Sequence, residues 1–392
     1  MQKLYISQYA SNIWYVPLED KPDVPLYWTT SNLTDVNERY ILTSDARKCL
    51  LYDKAGRYIR QIGDQGRGPG EYSLIVNVFL NNDKIYIRDY YDLIEYSIDG
   101  TFMKRCKNIF IAEGKFHLEE SIVINDSMIF GNIENASGYD EYKALMVNHQ
   151  GKAIFSYRNY ITFALDPGVS HAKSPGKALI FIYKNNIFFK ELLNDTLFKM
   201  DDQYRLIPYS VLNLGKYKQP LALRGKRWNQ INLRSYINLN NIFYTGRYLI
   251  LICNFNSFFP AKRLTPGKIF LPGLDEKTLW YNTTLVLGVV DNKTQDVIFS
   301  EPTSTNNHLY TSGFYNDFDA GPRFLPDKSI NDSTLIMKIR FDHLVEHIES
   351  DDFKSNYPDF PERKKKLEMF VDSLRNINYN NPIYMFVTFK NK

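Results

Sequence analysis

A stretch of this chain repeats itself 44 residues later without a gap: Asp45 falls on Asp89, Leu50 on Ile94, Tyr52 on Tyr96, Gly56 on Gly100, Tyr58 on Phe102 and Arg60 on Lys104. Each copy reads as a strand, a short turn, a second strand, a turn at the glycine and a third strand. A weaker third copy lies 51 residues beyond the second, where residues 145–152 echo residues 50–57. Segments 187–198 and 285–299 keep the strand–turn–strand rhythm without the glycine. A period of about 40–50 residues with several short strands per unit is the pattern of a β-propeller. The reason is burial. A single four-stranded sheet cannot cover both of its apolar faces, whereas sheets stacked around an axis cover one another and a closed ring protects the edges. The competing arrangement is a β-sandwich of repeated hairpins. The expected class is all-β, with six or seven blades for 392 residues.

Composition agrees. Aromatic residues make up 15% of the chain, with 29 Tyr and 26 Phe, and such residues favour strands and large apolar interfaces. Hydrophobic residues at 44% and charged residues at 23% exclude a disordered chain. The net charge is only +4, without a basic stripe, so nothing marks a nucleic-acid partner. Cys49, Cys106 and Cys253 are too few and too scattered for a disulfide framework, and no C-x-x-C spacing points to zinc. No stretch has the apolar length of a membrane helix. Residues 1–5 do not lead into the apolar region of a signal peptide, so either a cytoplasmic protein or a chain beginning after a removed leader is expected.

One region breaks the β rhythm. Phe341, Leu344, Val345 and Ile348 stand at i, i+3, i+4 and i+7, as do Leu367, Phe370, Val371 and Leu374. Each set makes one apolar stripe on a helix. Asp359 and Glu362 have capping-box spacing, and Pro361 suits a first turn. Residues 382–389 then return to a strand pattern. The spacing predicts a helical insertion over 341–376 within the last blade of a single domain, 1–392. The strand near residues 14–18 is expected to join the sheet containing residues 383–389 and close the ring.

Directly after the first repeat stands Gly63-Asp64-Gln65-Gly66-Arg67-Gly68-Pro69-Gly70-Glu71-Tyr72. This resembles the G-x-G-P-G-E-Y loop of the six-bladed β-propellers, TolB-like or NHL-like, found as lipoproteins in the envelopes of gut anaerobes. Segments 15–19, 85–89, 194–198 and 316–321 and the closing Asn381-Pro382 resemble further landmarks of that family, so the resemblance spans roughly residues 12 to 392. At Ala320 the resemblance leads one to expect a second glycine before Gly321. The family implies six blades and a cell-envelope address, in the periplasm or on the outer-membrane surface. Membrane attachment would come only through a lipid anchor upstream of this chain. The family implies no known reaction.

Connections between strands collect at the ends of blades, and loops on a rigid scaffold carry function. Arg67, Glu71 and Tyr72 in the glycine loop and Asn316, Asp317 and Asp319 in the late loop are therefore the candidate binding residues. The many tyrosines suit a glycan or an extended peptide. The glycine loop lacks the G-K-[S/T] and following helix of a phosphate loop. Its plainer reading is a tight connection between blades, with glycines supplying positive φ. Asn316, Asp317 and Asp319 offer oxygens at close spacing, but the calcium-loop pattern is incomplete and such residues also serve turns. His343 to His347 matches H-x-x-E-H, yet both histidines fall opposite the apolar stripe and are expected in solvent. Residues 363–366, a basic run, are expected to be a solvated helix start. No catalytic set, metal or cofactor is singled out. The expected function is a non-catalytic envelope protein that binds a glycan, peptide or envelope protein. The alternative is a propeller enzyme of lactonase or lyase type, which requires metal-binding side chains from several blades converging in the channel.

Overall fold

Six four-stranded antiparallel sheets make up the computed structural model, which describes residues 1–391 except 22, 24, 25, 27–32, 46, 82, 173–175, 228–235, 256–284 and 302–311. Blade 1 holds strands Leu33–Val36, Tyr40–Ser44, Cys49–Asp53 and Tyr58–Gln61. Blade 2 holds Ile75–Asn81, Lys84–Asp89, Asp92–Ser97 and Phe102–Cys106, so strands two to four follow the 44-residue offset read from the sequence. Blades 3 and 4 occupy residues 121–158 and 179–211, and blade 5 holds Asn238–Thr245, Tyr248–Asn254, Leu285–Asp291 and Val297–Phe299. Blade 6 combines Lys328–Ser329, Thr334–Ile339 and Ile383–Phe389 with Ala10–Pro17. The chain is a six-bladed β-propeller.

The turn between the third and fourth strands shows why the repeat fades without the fold changing. Gly56, Gly100 and Gly151 take φ of 81°, 83° and 73° there, and each N–H returns to a carbonyl three residues back. In blades 4 and 5 Tyr204 and Gln295 take the corresponding place at φ 59° and 65°. These side chains accept a left-handed backbone that glycine adopts freely.

Burial divides the core by seams. Separate apolar clusters lie between blades 1 and 2, 2 and 3, 3 and 4, 4 and 5, and 6 and 1, while the largest joins blades 5 and 6 to the helices. Each blade thus covers its neighbour's face, which is the burial argument made from the repeat.

The ring closes through the N-terminal strand. Ala10–Pro17 pairs antiparallel with Ile383–Phe389, with Trp14 opposite Phe386 and stacked on it at 5.1 Å. Upstream, Gln2 N–H donates to Phe299 O and Ile6 N–H to Tyr315 O, which carries the N-terminus back onto blade 5.

Helices Phe341–Glu349, Asp351–Ser355 and Pro361–Arg375 lie between the second and third strands of blade 6. Both stripes face the core: Leu344, Leu367, Val371 and Leu374 are buried, with Phe341, Val345, Ile348 and Phe370 packed against them. Pro361 opens its helix as expected, but the capping box does not form. Phe360 is the N-cap and no side chain caps the helix. Asp359 instead gives its N–H to Asp317 O, and Phe360 stacks on Phe318 at 5.7 Å.

Candidate functional site

In an antiparallel blade, the links from strand two to three leave the same end as the links from strand four to the next blade. The glycine loop, the late loop and the helical insertion therefore share one end of the propeller, hereafter the loop end. The glycine loop stands at the seam of blades 1 and 2 and the late loop at that of blades 5 and 6. The structure puts them on one face without bringing them together.

The glycine loop is tied down from several sides. Residues Asp64–Gln65 and Glu71–Tyr72 pair in parallel. The Glu71 carboxylate accepts Gly68 N–H at 2.8 Å, while Glu71 O accepts Arg105 Nη1 at 2.6 Å. Tyr96 Oη donates to Gly70 O at 2.6 Å. Only Gly63 among these glycines has a positive φ, 60°. At Gly66 a Cβ would lie 2.0 Å from Glu71 Oε2 and would make that carboxylate shift. Tyr72 is fully buried in the seam of blades 1 and 2 and has no surface to offer a ligand. Glu71 holds its own loop. Arg67 is exposed and finds no hydrogen-bond or ion-pair partner among the described residues.

The late loop turns inward. Asn316 and Asp319 are each 4% exposed. Asp319 Oδ1 accepts Asn316 Nδ2 at 2.6 Å, Gly321 N–H at 2.8 Å and Tyr15 Oη at 3.2 Å. Burial raises the Asp319 carboxyl to about 6 against these bonds, which favour its ionised form. Asp317 is half-buried and accepts both the backbone N–H and the hydroxyl of Ser7. These side chains fasten the N-terminal segment to the loop end.

The helical histidines correct another expectation. His347 is half-buried, and its Nε2 donates to Ala320 O at 2.8 Å. Burial holds its pKa below the ordinary value. Ala320 stands at φ 59°, a conformation that explains why glycine suits this position. The basic run is only partly solvated. Lys364 Nζ donates to Phe353 O at 2.6 Å and Asn356 O at 2.8 Å, whereas Lys365 and Lys366 are exposed.

A cavity of about 1570 Å³ runs along the axis as a channel, walled by the first strands of all six blades. Its wall is amphipathic. Phe79, Ile124, Phe181 and Leu325 line it together with Asn77, Asn241 and the Asp35–Lys328 ion pair at 2.5 Å. Tyr384 Oη and Thr34 Oγ1 share a hydrogen bond at 2.9 Å beside that pair. Asp327, on the channel wall, accepts Lys338 N–H at 2.6 Å. At the end away from the loops, Lys184 N–H of blade 4 reaches Asp332 Oδ1 of blade 6 at 3.0 Å. The lower mouth is thus bridged between two blades that are not neighbours.

None of these channel residues was singled out from the sequence. Asp35 and Lys328 lie nearly 300 residues apart, and only closure of the ring joins them. In the structure Asp35, Asn77 and Asn241 each accept the N–H of the next residue in a first strand.

A family described as "Domain of unknown function (DUF4934)" matches residues 1–388. No curated protein matches the chain. Among solved structures, a Bacteroides fragilis NCTC 9343 protein described as exported is 16% identical with a TM-score of 0.66, covering 100% of this chain and 98% of its own. A Bacteroides vulgatus member of the duf4221 family is 13% identical with a TM-score of 0.54, covering 97% of each chain. At such identities the likeness establishes the fold.

Proposed function

The chain belongs to the DUF4934 family, and from that premise we propose that it is a non-catalytic propeller of the cell envelope that holds a glycan or peptide segment in its axial channel. The observation that carries this reading is the channel of about 1570 Å³, whose wall carries both apolar side chains and the amides of Asn77 and Asn241. Apolar walls with a few fixed polar groups are what ligand sites use for affinity and orientation. Binding is favoured over lactonase or lyase chemistry. Among the described residues no three His, Cys, Asp or Glu side chains gather to hold a metal, and the Asp35 carboxylate is engaged by Lys328 and by Leu80 N–H. The envelope address is supported by the exported protein of like fold and by the resemblance of the glycine loop to envelope lipoproteins. A lipid anchor upstream would supply the membrane attachment.

The test is a glycan and peptide binding screen on the wild type, Ile182→Trp and Arg67→Ala. Ile182 is 52% exposed on the channel wall, so a tryptophan there adds bulk to the channel. A ligand that Ile182→Trp weakens at least about tenfold, and Arg67→Ala by less than about threefold, supports the channel. The reverse pattern puts the ligand on the glycine loop and overturns the channel reading.

A further inference from the structure

At the loop end of blade 2, strands Lys84–Asp89 and Asp92–Ser97 are joined by a turn of two residues, Tyr90 and Tyr91. Tyr90 stands at φ 51°, a conformation that crowds a side chain against its own backbone. In the two-residue turn between the first two strands of blade 5 the same position is Gly246, at φ 47°. Glycine takes this conformation freely, so the turn itself would be better served by glycine at 90. Nor is the tyrosine kept for the core, because it is 53% exposed.

The turn is held from below. Arg88 Nε donates to Tyr90 O at 3.1 Å, and Phe110 N–H donates to Tyr91 O at 3.0 Å. Arg105 pairs with both flanking carboxylates, Asp89 and Asp92. On the outside the rings are contiguous. Tyr91 is 40% exposed, lies 6.4 Å from the Tyr90 ring and meets the His117 ring edge-on at 5.4 Å. His117 and Glu119 are exposed on either side of buried Leu118. Among the described residues the two phenol hydroxyls, the His117 ring nitrogens and the Glu119 carboxylate have no hydrogen-bond or ion-pair partner.

We propose that Tyr90, Tyr91 and His117 form a stacking surface for a neutral pyranose sugar, with Glu119 accepting its hydroxyls. Area argues for a small ring and against a protein partner. A fully covered aromatic side chain buries about 150–250 Å², so at their exposures the two tyrosines offer roughly 200 Å². A stable protein interface needs about 800 Å² from each partner. A pyranose has a face of C–H groups and a rim of hydroxyls. The C–H face suits the negative face of an aromatic ring, and the hydroxyls donate to a carboxylate. Glu119 disfavours an acidic sugar, whose carboxylate it repels. The pinned turn is already ordered, so little freedom is lost on binding.

None of these four residues lines the axial channel, although Glu120 and Ser121, next along the chain, do. The surface lies beside the channel, and each reading can fail alone. The experiment is calorimetric titration of the folded protein with the methyl pyranosides of glucose, galactose and mannose, their trisaccharides and the corresponding uronic acids. Tyr91→Ala removes one ring. Tyr90→Gly removes the other while easing the backbone, so misfolding does not confuse the result. Ile182→Trp alters only the channel. The expected result is millimolar or tighter binding of a neutral sugar, weakened at least about fivefold by either tyrosine variant and less than about twofold by Ile182→Trp. The matching uronic acid should bind at least about fivefold more weakly. The proposal is overturned if no neutral sugar binds more tightly than about 10 mM, or if both tyrosine variants bind as the wild type does. Weakening by Ile182→Trp alone puts the sugar in the channel, which overturns this surface and leaves the channel reading standing.

Discussion

Asp319 is closed off from water, and that burial lifts its carboxyl from 3.8 to about 6. The folded chain therefore holds a proton between these values that the unfolded chain has released. Stability then falls as pH rises from about 4 to about 7, by up to roughly 3 kcal/mol for this group. Asp319→Asn keeps an oxygen for Tyr15 and Gly321 and removes the titration. Its stability relative to wild type should rise over that pH window in urea denaturation, and parallel profiles would refute the assignment. The sequence showed that this loop is rich in Asn and Asp but not which way the side chains turn. Their partners, Tyr15 and Ser7, lie some 300 residues away. Tyr72 is hidden for a related reason: a loop tyrosine and a core tyrosine look the same in sequence until the neighbouring blade is in place. Among the described residues, Arg67 alone of the six candidates has no hydrogen-bond or ion-pair partner.

At the scale of elements, what is periodic was legible and what is capped or latched was not. The stripes over 341–348 and 367–374 are local patterns, and both helices bury them. The start of the second helix is a tertiary matter, set by Asp359 on Asp317 and Phe360 on Phe318. A latch between blades also escaped notice. Glu19 N–H donates to Gly56 O while its carboxylate accepts Tyr58 N–H, and Glu113 does the same with Gly151 O and Ala153 N–H. The same device recurs at two seams, and each glutamate lies outside the repeat that carries its partner. His347 belongs with these hidden links. Its bond to Ala320 O joins the insertion to the late loop, and losing it leaves a buried carbonyl short of a donor. His347→Ala should cost about 1–2 kcal/mol by chemical denaturation. A loss below about 0.3 kcal/mol would show that the bond adds nothing.

For the whole molecule, the repeat gave the ring and the resemblance the number of blades, because both depend on a unit that cannot bury itself alone. Closure depends most on the N-terminal residues. Ala10–Pro17 is the outermost strand of blade 6, and Leu4, Ile6 and Leu18 are fully buried beside it. Ile13, Val16 and Tyr9 are each under 9% exposed. Exposing one such side chain costs about 1.5–3 kcal/mol. Losing several approaches the whole stability of a typical domain, about 5–15 kcal/mol. Removing residues 1–20 should therefore abolish the cooperative thermal transition or lower it by well over about 10 °C. It also strips Trp14 from Phe386 and leaves the edge of Ile383–Phe389 unpaired, an invitation to aggregation. A peptide of residues 1–20 added in trans should restore part of the transition, since the strand pairs by backbone bonds and seven register positions specify its place. Rescue separates loss of closure from general misfolding. A truncated protein that melts within about 2 °C of the intact chain would show that the ring holds without its last strand.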